Sequence, residues 1–237
     1  MGQFEFTCYI HAFCYIRGMK LPLILVNFKL YEQSTGENAV ELARIHEKAA
    51  HETGASIAIA VSALDLQKVV SSVNIPVFAQ HIDPVSYGSH TGRITPDLVK
   101  ECGAYGTLLN HAEYQIENET IMKSVEMAKA AGLFTIVCAE TPVRAVQILK
   151  YNPDLIAIEP PELIGGDISV SKAEPGIIEK SVKLIGENRV LVGAGVKTGE
   201  DVKIAIALGA SGVLLASGVT KAKDPYSVLM DLISGMK

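Results

Sequence analysis

The sequence predicts an α/β fold, a single (β/α)8 barrel, on three observations. The chain has 237 residues, which suffices for one large core and is short for two full domains. Its residues are 49% hydrophobic, as parallel sheets buried on both faces require, yet no apolar run reaches the roughly 18 residues that span a bilayer. From Leu21 onward, short apolar runs alternate with segments of helical period, without a break in composition.

The short apolar runs have the character of strands that are covered on both sides. Each is nearly continuously apolar, which is typical of parallel strands in an α/β protein. Eight of them fit a closed barrel better than an open doubly wound sheet, which usually has about five to seven strands. The predicted strands are residues 23–28, 56–61, 76–80, 106–110, 134–139, 155–160, 189–195 and 212–217.

Helices are predicted between these strands, and several have clear boundaries in the sequence. Glycine ends some of them and threonine begins others, as expected of C-terminal and N-terminal caps. The helices with such boundaries are residues 37–53, 95–102, 118–131 and 198–208.

Composition narrows the classes of partner. The chain has 21 basic and 26 acidic residues, a net charge of −5, and the basic residues are scattered. Proteins that bind nucleic acid concentrate lysine and arginine on one patch, so neither nucleic acid nor a membrane is expected as a partner. A small anion still binds where a few lysines and helix N-termini converge. The four cysteines form no C-x-x-C pair, which fits reduced thiols and a cytoplasmic location.

Residues 1–18 differ from the rest of the chain. They are apolar, but they have neither a basic n-region nor a small-residue cleavage site, so no signal peptide is predicted. Cys8, His11 and Cys14 leave a metal site open as an alternative, although a fourth ligand is lacking. We expect residues 1–18 to be a dispensable N-terminal extension and residues 19–237 to form the barrel domain.

Polar residues follow three of the predicted strands, where a purely structural barrel does not need them. Active sites of β/α barrels lie at the carboxyl ends of the strands. Lys29 follows the first strand, His111 follows the fourth, and Glu159 stands before two prolines in the sixth. A lysine there offers a cation to an anion, a histidine polarises a carbonyl, and a carboxylate on a stiff backbone is a candidate general base. Each residue is commonplace alone, and their joint position predicts an active site.

Glycine-rich segments after the last two strands add an anion site. Gly193-Ala194-Gly195 leads into the helix that Thr198 begins, and Ala216-Ser217-Gly218 leads into a further turn. Backbone N–H groups in such segments cradle phosphate oxygens. Together with a base and an electrophile, this site favours proton transfer on a small phosphorylated sugar.

At these positions the sequence resembles the triosephosphate isomerases, in particular the shorter archaeal type. The resemblance covers nearly all of residues 19–237. The motifs that carry it are Val26-Asn27-Phe28-Lys29, Leu109-Asn110-His111, the segment 157–165, Gly193-Ala194-Gly195 and Leu215-Ala216-Ser217.

The resemblance implies a TIM barrel that interconverts dihydroxyacetone phosphate and D-glyceraldehyde 3-phosphate through an enediolate. The reaction belongs to glycolysis and gluconeogenesis and needs no metal or organic cofactor. In this family pattern Glu159 accepts the proton, His111 is the electrophile, and Lys29 holds the anion. Asn27 contacts the substrate, and Glu113 pairs with Lys29. The phosphate site would be lined by Ile164, Gly195, Ala216 and Ser217.

The chain departs from the family pattern at two places. Ala112 stands where the family usually has serine, and Gly166-Asp167 stands where it usually has Thr-Gly. The first departure bears on how the resting base is held, and the second on how the lid, residues 160–167, hinges. We expect Asp167 to face away from the phosphate when the lid is shut, because two negative charges in a dry site would oppose closure.

The sequence also bears on the oligomeric state and leaves two alternative functions to consider. Residues 87–92 resemble the subunit-contact loop of the family, and the archaeal type favours a homotetramer over a homodimer. Lys29 could instead be the Schiff-base nucleophile of an aldolase. A barrel that binds phosphorylated ligands or partners without catalysis, as a sensor or scaffold, is the second alternative. The joint presence of Lys29, His111 and Glu159 argues against both.

Overall fold

The computed structural model describes residues 14–160 and 173–237. Its eight parallel strands are β3 Leu23–Asn27, β4 Ser56–Val61, β5 Val77–Ala79, β6 Gly106–Leu109, β7 Phe134–Ala139, β8 Leu155–Ile158, β9 Val190–Val192 and β10 Gly212–Leu215. They form a closed barrel in chain order, and β10 pairs with β3 to complete it. The predicted (β/α)8 barrel is therefore confirmed.

Helices cover the outside of the barrel. They are α1 Glu37–Thr53, α2 Leu66–Val70, α3 Pro96–Glu101, α4 Asn118–Ala130, α5 Pro142–Leu149, α6 Pro175–Ile185, α7 Gly199–Ala207, α8 Ser217–Thr220 and α9 Pro225–Ser234. The predicted caps are present: Gly54 ends α1 in the left-handed region, and Thr95 and Thr198 accept backbone N–H groups at the starts of α3 and α7. No helix in the described ranges is long and apolar enough to cross a membrane.

The strands are apolar on both faces because they separate two cores. Ile24 and Val26 of β3 belong to the cluster between the sheet and the helices. Leu23 and Leu25 belong to a second cluster inside the barrel. Successive side chains of a strand point to opposite faces, so each strand supplies both clusters in alternation.

A short hairpin closes the N-terminal end of the barrel. Its strands are β1 Cys14–Ile16 and β2 Met19–Leu21, which pair antiparallel. Met19 and Leu21 are buried and join the cluster inside the barrel. Because β2 leads directly into the start of β3, the hairpin lies at the end opposite the carboxyl ends of the strands.

Arg17, at the tip of this hairpin, is bonded to the barrel. Its Nη1 donates to the Leu133 carbonyl at 3.1 Å and to the Asp154 carboxylate at 3.0 Å. The Asp154 side chain is only 4% exposed, and it also accepts the backbone N–H and the hydroxyl of Thr135. Residues 14–18, counted with the extension in the sequence analysis, therefore contact the barrel.

We expect Arg17→Ala to lower the free energy of unfolding by about 1–2 kcal/mol, because a buried carboxylate loses its charged donor. Turnover should stay unchanged, since the hairpin lies far from the strand ends that carry the predicted active site. Arg44→Ala is the matched control: Arg44 pairs with Glu41 and both side chains are largely exposed, so the loss should be below about 0.5 kcal/mol. Urea unfolding followed by circular dichroism measures both variants, and equal losses would contradict the prediction.

The dispensability of residues 1–18 stays a prediction. Residues 1–13 lie outside the described residues. For activity the prediction is unchanged, whereas for stability the contacts of Arg17 favour a measurable loss when the segment is deleted.

Candidate active site

The carboxyl ends of the strands surround a cavity that contains most of the residues that the sequence singled out. Ile164, which the resemblance placed at the phosphate site, lies outside the described residues. The predicted residues that line the cavity are Asn27, Lys29, His111, Glu159, Gly195, Ala216 and Ser217.

Lys29 is fixed at the end of β3 by its neighbours. Its backbone is left-handed, with φ of 50°, which is uncommon outside glycine and is held here by hydrogen bonds on both sides. The Lys29 N–H donates to Asn27 Oδ1 at 3.0 Å, and Gln80 Nε2 donates to the Lys29 carbonyl at 3.0 Å. Lys29 Nζ lies 2.7 Å from Glu113 Oε1, so the ion pair that the resemblance implied is present.

His111 has a defined tautomer. The backbone N–H of Glu113 donates to His111 Nδ1 at 3.1 Å. A ring that accepts a hydrogen bond at Nδ1 carries its proton on Nε2. Nε2 lies 3.8 Å from Glu159 Oε1, so the N–H of the ring is directed into the cavity beside the carboxylate.

Glu159 is buried at the end of β8. Its backbone N–H donates to the Ala139 carbonyl, which holds it against β7, and only 5% of the residue is exposed. Within residues 14–160 and 173–237, its buried Oε2 has no hydrogen-bond partner. Burial raises the pKa of the neighbouring Cys138 thiol, and the Glu159 carboxylate raises that pKa further. A carboxylate held in this way keeps its lone pairs available for a proton.

The opposite side of the cavity offers backbone N–H groups and a second cation. Ala194 and Gly195 follow β9 in consecutive left-handed conformations, with φ of 69° and 71°. Ser217 begins α8, and the first N–H groups of a helix have no partner within it. Lys197 lines the same cavity. This side therefore suits an anion, whereas the side of Glu159 and His111 suits proton transfer.

Several residues of the site were missed by sequence reasoning. Gln80, which donates to both Asn27 and Lys29, is the last residue of the third predicted strand, so the strand-end rule could have found it. Tyr31 and Lys197 also line the cavity, two residues after the motifs that end at Lys29 and Gly195. Nothing in the sequence distinguishes them from ordinary surface residues. Lys221 Nζ lies 4.0 Å from the centre of the Tyr31 ring.

The metal alternative rested on Cys8, His11 and Cys14. Cys8 and His11 lie outside the described residues. Elsewhere, in the part of the chain that the structure describes, no group of three histidine, cysteine or acidic side chains is arranged to hold a metal ion.

Known proteins resemble this chain over most of its length. The family model described as triosephosphate isomerase matches residues 22–236. The triosephosphate isomerase of Methanobacterium bryantii is 49% identical over 217 residues, which is 90% of this chain and 96% of that protein. That of Methanocaldococcus jannaschii is 46% identical over 215 residues, 89% and 98% of the two chains.

A solved structure shows the same fold at a greater distance in sequence. The crystal structure of triosephosphate isomerase from Bartonella henselae matches with a TM-score of 0.67 and 21% identity, over 87% of this chain and 97% of that one. The family model and the archaeal relatives cover nearly all of the barrel, from the first strand to the last helix. The chain therefore belongs to the triosephosphate isomerase family, and it is an isomerase.

Proposed function

We propose that this cavity interconverts dihydroxyacetone phosphate and D-glyceraldehyde 3-phosphate. The observation that carries the proposal is the 3.8 Å distance between Glu159 Oε1 and His111 Nε2, in a cavity that Lys29 and the phosphate-binding segments also line. Glu159 removes a proton from the carbon beside the carbonyl. The Nε2–H of His111 polarises the carbonyl oxygen, and Lys29 stabilises the negative charge of the enediolate.

The second half of the reaction uses the same groups in reverse. The protonated Glu159 returns a proton to the adjacent carbon, which moves the carbonyl from one carbon to the next. The two substrate oxygens exchange roles, so one proton must also pass between them, and His111 is the group beside them that holds a transferable N–H. The chain supplies base, electrophile and anion site, and the proposed steps use no metal or organic cofactor.

A coupled isomerase assay on the purified chain tests this function. Activity in both directions is expected, and its absence would favour the scaffold alternative. Borohydride reduction with substrate present tests the aldolase alternative, because a Schiff base becomes a permanent adduct. We expect no adduct on Lys29, since its ammonium group is paired with Glu113 and has no lone pair for attack on a carbonyl. We further propose that the enzyme acts in the cytoplasm, in glycolysis and gluconeogenesis.

The lid stays a prediction. Residues 161–172 lie outside the described residues, and these include Ile164, the glycine pair 165–166 and Asp167. The contact of Ile164 with the phosphate site and the outward orientation of Asp167 are therefore expectations of the sequence alone.

We also propose that the chain self-associates, as a homotetramer rather than a homodimer. One exposed apolar area, formed by Leu30 and Tyr114, borders a second cavity beside the active site. A second area is that of the neighbouring helices α4 and α5, where Met122 and Val143 are exposed. A twofold dimer needs one self-complementary face, whereas a tetramer of dihedral symmetry needs more than one. Two separate apolar areas on one chain favour the tetramer.

We expect the double substitution of Met122 and Val143 by lysine to convert the tetramer into a dimer, because it places charges in the second area. Sedimentation velocity of the wild-type chain and the variant measures the change. Glu179→Lys, at an exposed polar position of α6, is the control and should leave the tetramer intact. A wild-type chain that sediments as a dimer would contradict the proposal.

A further inference from the structure

Gly193 lies against the side chain of Glu159. It is the first residue after β9, and its N–H donates to the carbonyl of Ile158 at 2.9 Å, directly beside the base. A Cβ at position 193 would lie 2.3 Å from Cγ, 2.7 Å from Oε1 and 2.9 Å from Cδ of Glu159. Such distances are far below van der Waals contact, so a side chain at position 193 and the observed position of Glu159 exclude each other.

Backbone conformation does not explain the glycine. The φ angle of Gly193 is outside the left-handed region, whereas the next residue, Ala194, carries a side chain at φ of 69°. Position 194 therefore has alanine although glycine would relieve its strain. Position 193 has glycine although its backbone conformation is open to any residue. The requirement at position 193 is for space, and the space is occupied by the base.

The other neighbours of the carboxylate leave little freedom. His111 Nε2 lies 3.8 Å from Oε1, and the buried Cys138 thiol interacts with the carboxylate. Among the described residues, Oε2 accepts no hydrogen bond. The carboxylate is therefore positioned by these two neighbours and by the shape of its surroundings, of which Gly193 forms one wall.

We propose that Gly193 is a positioning residue for the base: the absence of its side chain creates the space in which Glu159 rests beside His111. This inference rests on the proposed function, in which Glu159 accepts the proton. In the proposed reaction Gly193 contacts neither the reacting carbon nor the phosphate, and it acts only through Glu159.

The test is Gly193→Ala. A shift of about 1 Å in a catalytic group costs on the order of 10²-fold in rate, so we expect kcat to fall by about that factor. Inhibition by inorganic phosphate, which needs only the anion side of the cavity, should stay within about twofold of the wild type. Inhibition by 2-phosphoglycolate, whose planar carboxylate resembles the enediolate and would lie beside Glu159, should weaken by about tenfold or more.

Two further alanine variants separate positioning from damage to the fold. Gly176→Ala meets nothing within 4 Å and should behave as the wild type. Gly106→Ala would lie 2.2 Å from the Phe134 carbonyl, in a barrel strand away from the cavity, so it should lower stability without changing the ratio of the two inhibition constants. If Gly193→Ala keeps kcat within about threefold, or loses phosphate inhibition in step with kcat, the inference is wrong.

A crystal structure of the Gly193→Ala variant gives a readout that does not depend on activity. We expect the Glu159 carboxylate to be displaced by more than about 1 Å from its place beside His111. An unchanged side chain would overturn the inference. A wild-type chain without isomerase activity would instead overturn the proposed function, and the displacement would still be tested by the same structure.

Discussion

Glu159→Gln should lower kcat by about 10²–10⁴-fold, because glutamine keeps the shape and volume of the side chain but cannot accept the proton. The surroundings make this a clean substitution, since Oε2 has no hydrogen-bond partner among the described residues that an amide would disturb. Inhibition by inorganic phosphate should persist, as the anion side of the cavity is untouched. The coupled assay, run in both directions, measures the loss.

The control for this variant is Glu179→Gln, an isosteric change at an exposed position of α6. It should leave kcat and KM at wild-type values. Near-normal turnover of Glu159→Gln would remove this carboxylate from the mechanism and reopen the search for the base.

Lys29→Met should lower kcat/KM by about 10²–10³-fold, the effect typical of removing one donor that stabilises a developing oxyanion. A second cause adds to the first. The variant leaves Glu113 without the cation that lies 2.7 Å from it, so an unpaired carboxylate stands beside the cavity that must take up a phosphate. Inhibition by inorganic phosphate should therefore weaken as well, which distinguishes this variant from Glu159→Gln.

A double variant separates these two causes. Lys29→Met combined with Glu113→Gln should recover part of the lost phosphate affinity, because the unpaired charge is gone, while turnover stays low. Lys68→Met serves as the control, since Lys68 pairs with Glu37 on the surface. Unchanged phosphate inhibition in Lys29→Met would show that this lysine does not hold the anion.

The fold was largely predictable from the sequence because of the way parallel strands are buried. Covered on both faces, each strand is a continuous apolar run, and all eight runs coincide with barrel strands to within a few residues. Six of the eight observed strands end before the predicted carboxyl end. At β8, Pro160 cannot donate to a ladder, and after β9 the backbone turns away at Ala194 and Gly195 to form the cavity. The helix over 37–53 has the predicted bounds, because a glycine cap marks its end.

The hairpin of residues 14–21 was not predicted, for an identifiable reason. Its strands have three residues each, which is too short to show a period. Their turn, Arg17-Gly18 at positive φ, has arginine where asparagine or aspartate usually precedes the glycine. A tertiary contact stabilises the hairpin: the hydrogen bond from Arg17 to Asp154 joins residues far apart in the sequence. No local pattern contains such a contact.

The candidate site was predictable to the extent that it follows the ends of strands. Lys29, His111 and Glu159 stand out because polar residues rarely follow buried strands without a purpose. Gly193 was also visible, as part of a glycine-rich segment expected to bind phosphate, but its contact with Glu159 was not. The contact brings the Glu159 side chain, after β8, against the backbone of Gly193, after β9. A distance between two residues on neighbouring strands cannot be read from the sequence.

The pairing of β10 with β3, which closes the barrel, affects how the chain folds during its synthesis. Leu23 of β3 pairs with Gly212 of β10. The hydrogen bonds of β3, the first barrel strand to be synthesised, are therefore complete only when β10, the last, is present. Until then the nascent sheet has two open edges, which are templates for pairing with other chains. Contacts so distant in sequence also form slowly. The barrel is thus complete only once its last strand has been synthesised, and until then the open edges of β3 and of the growing sheet stay available for pairing with other chains.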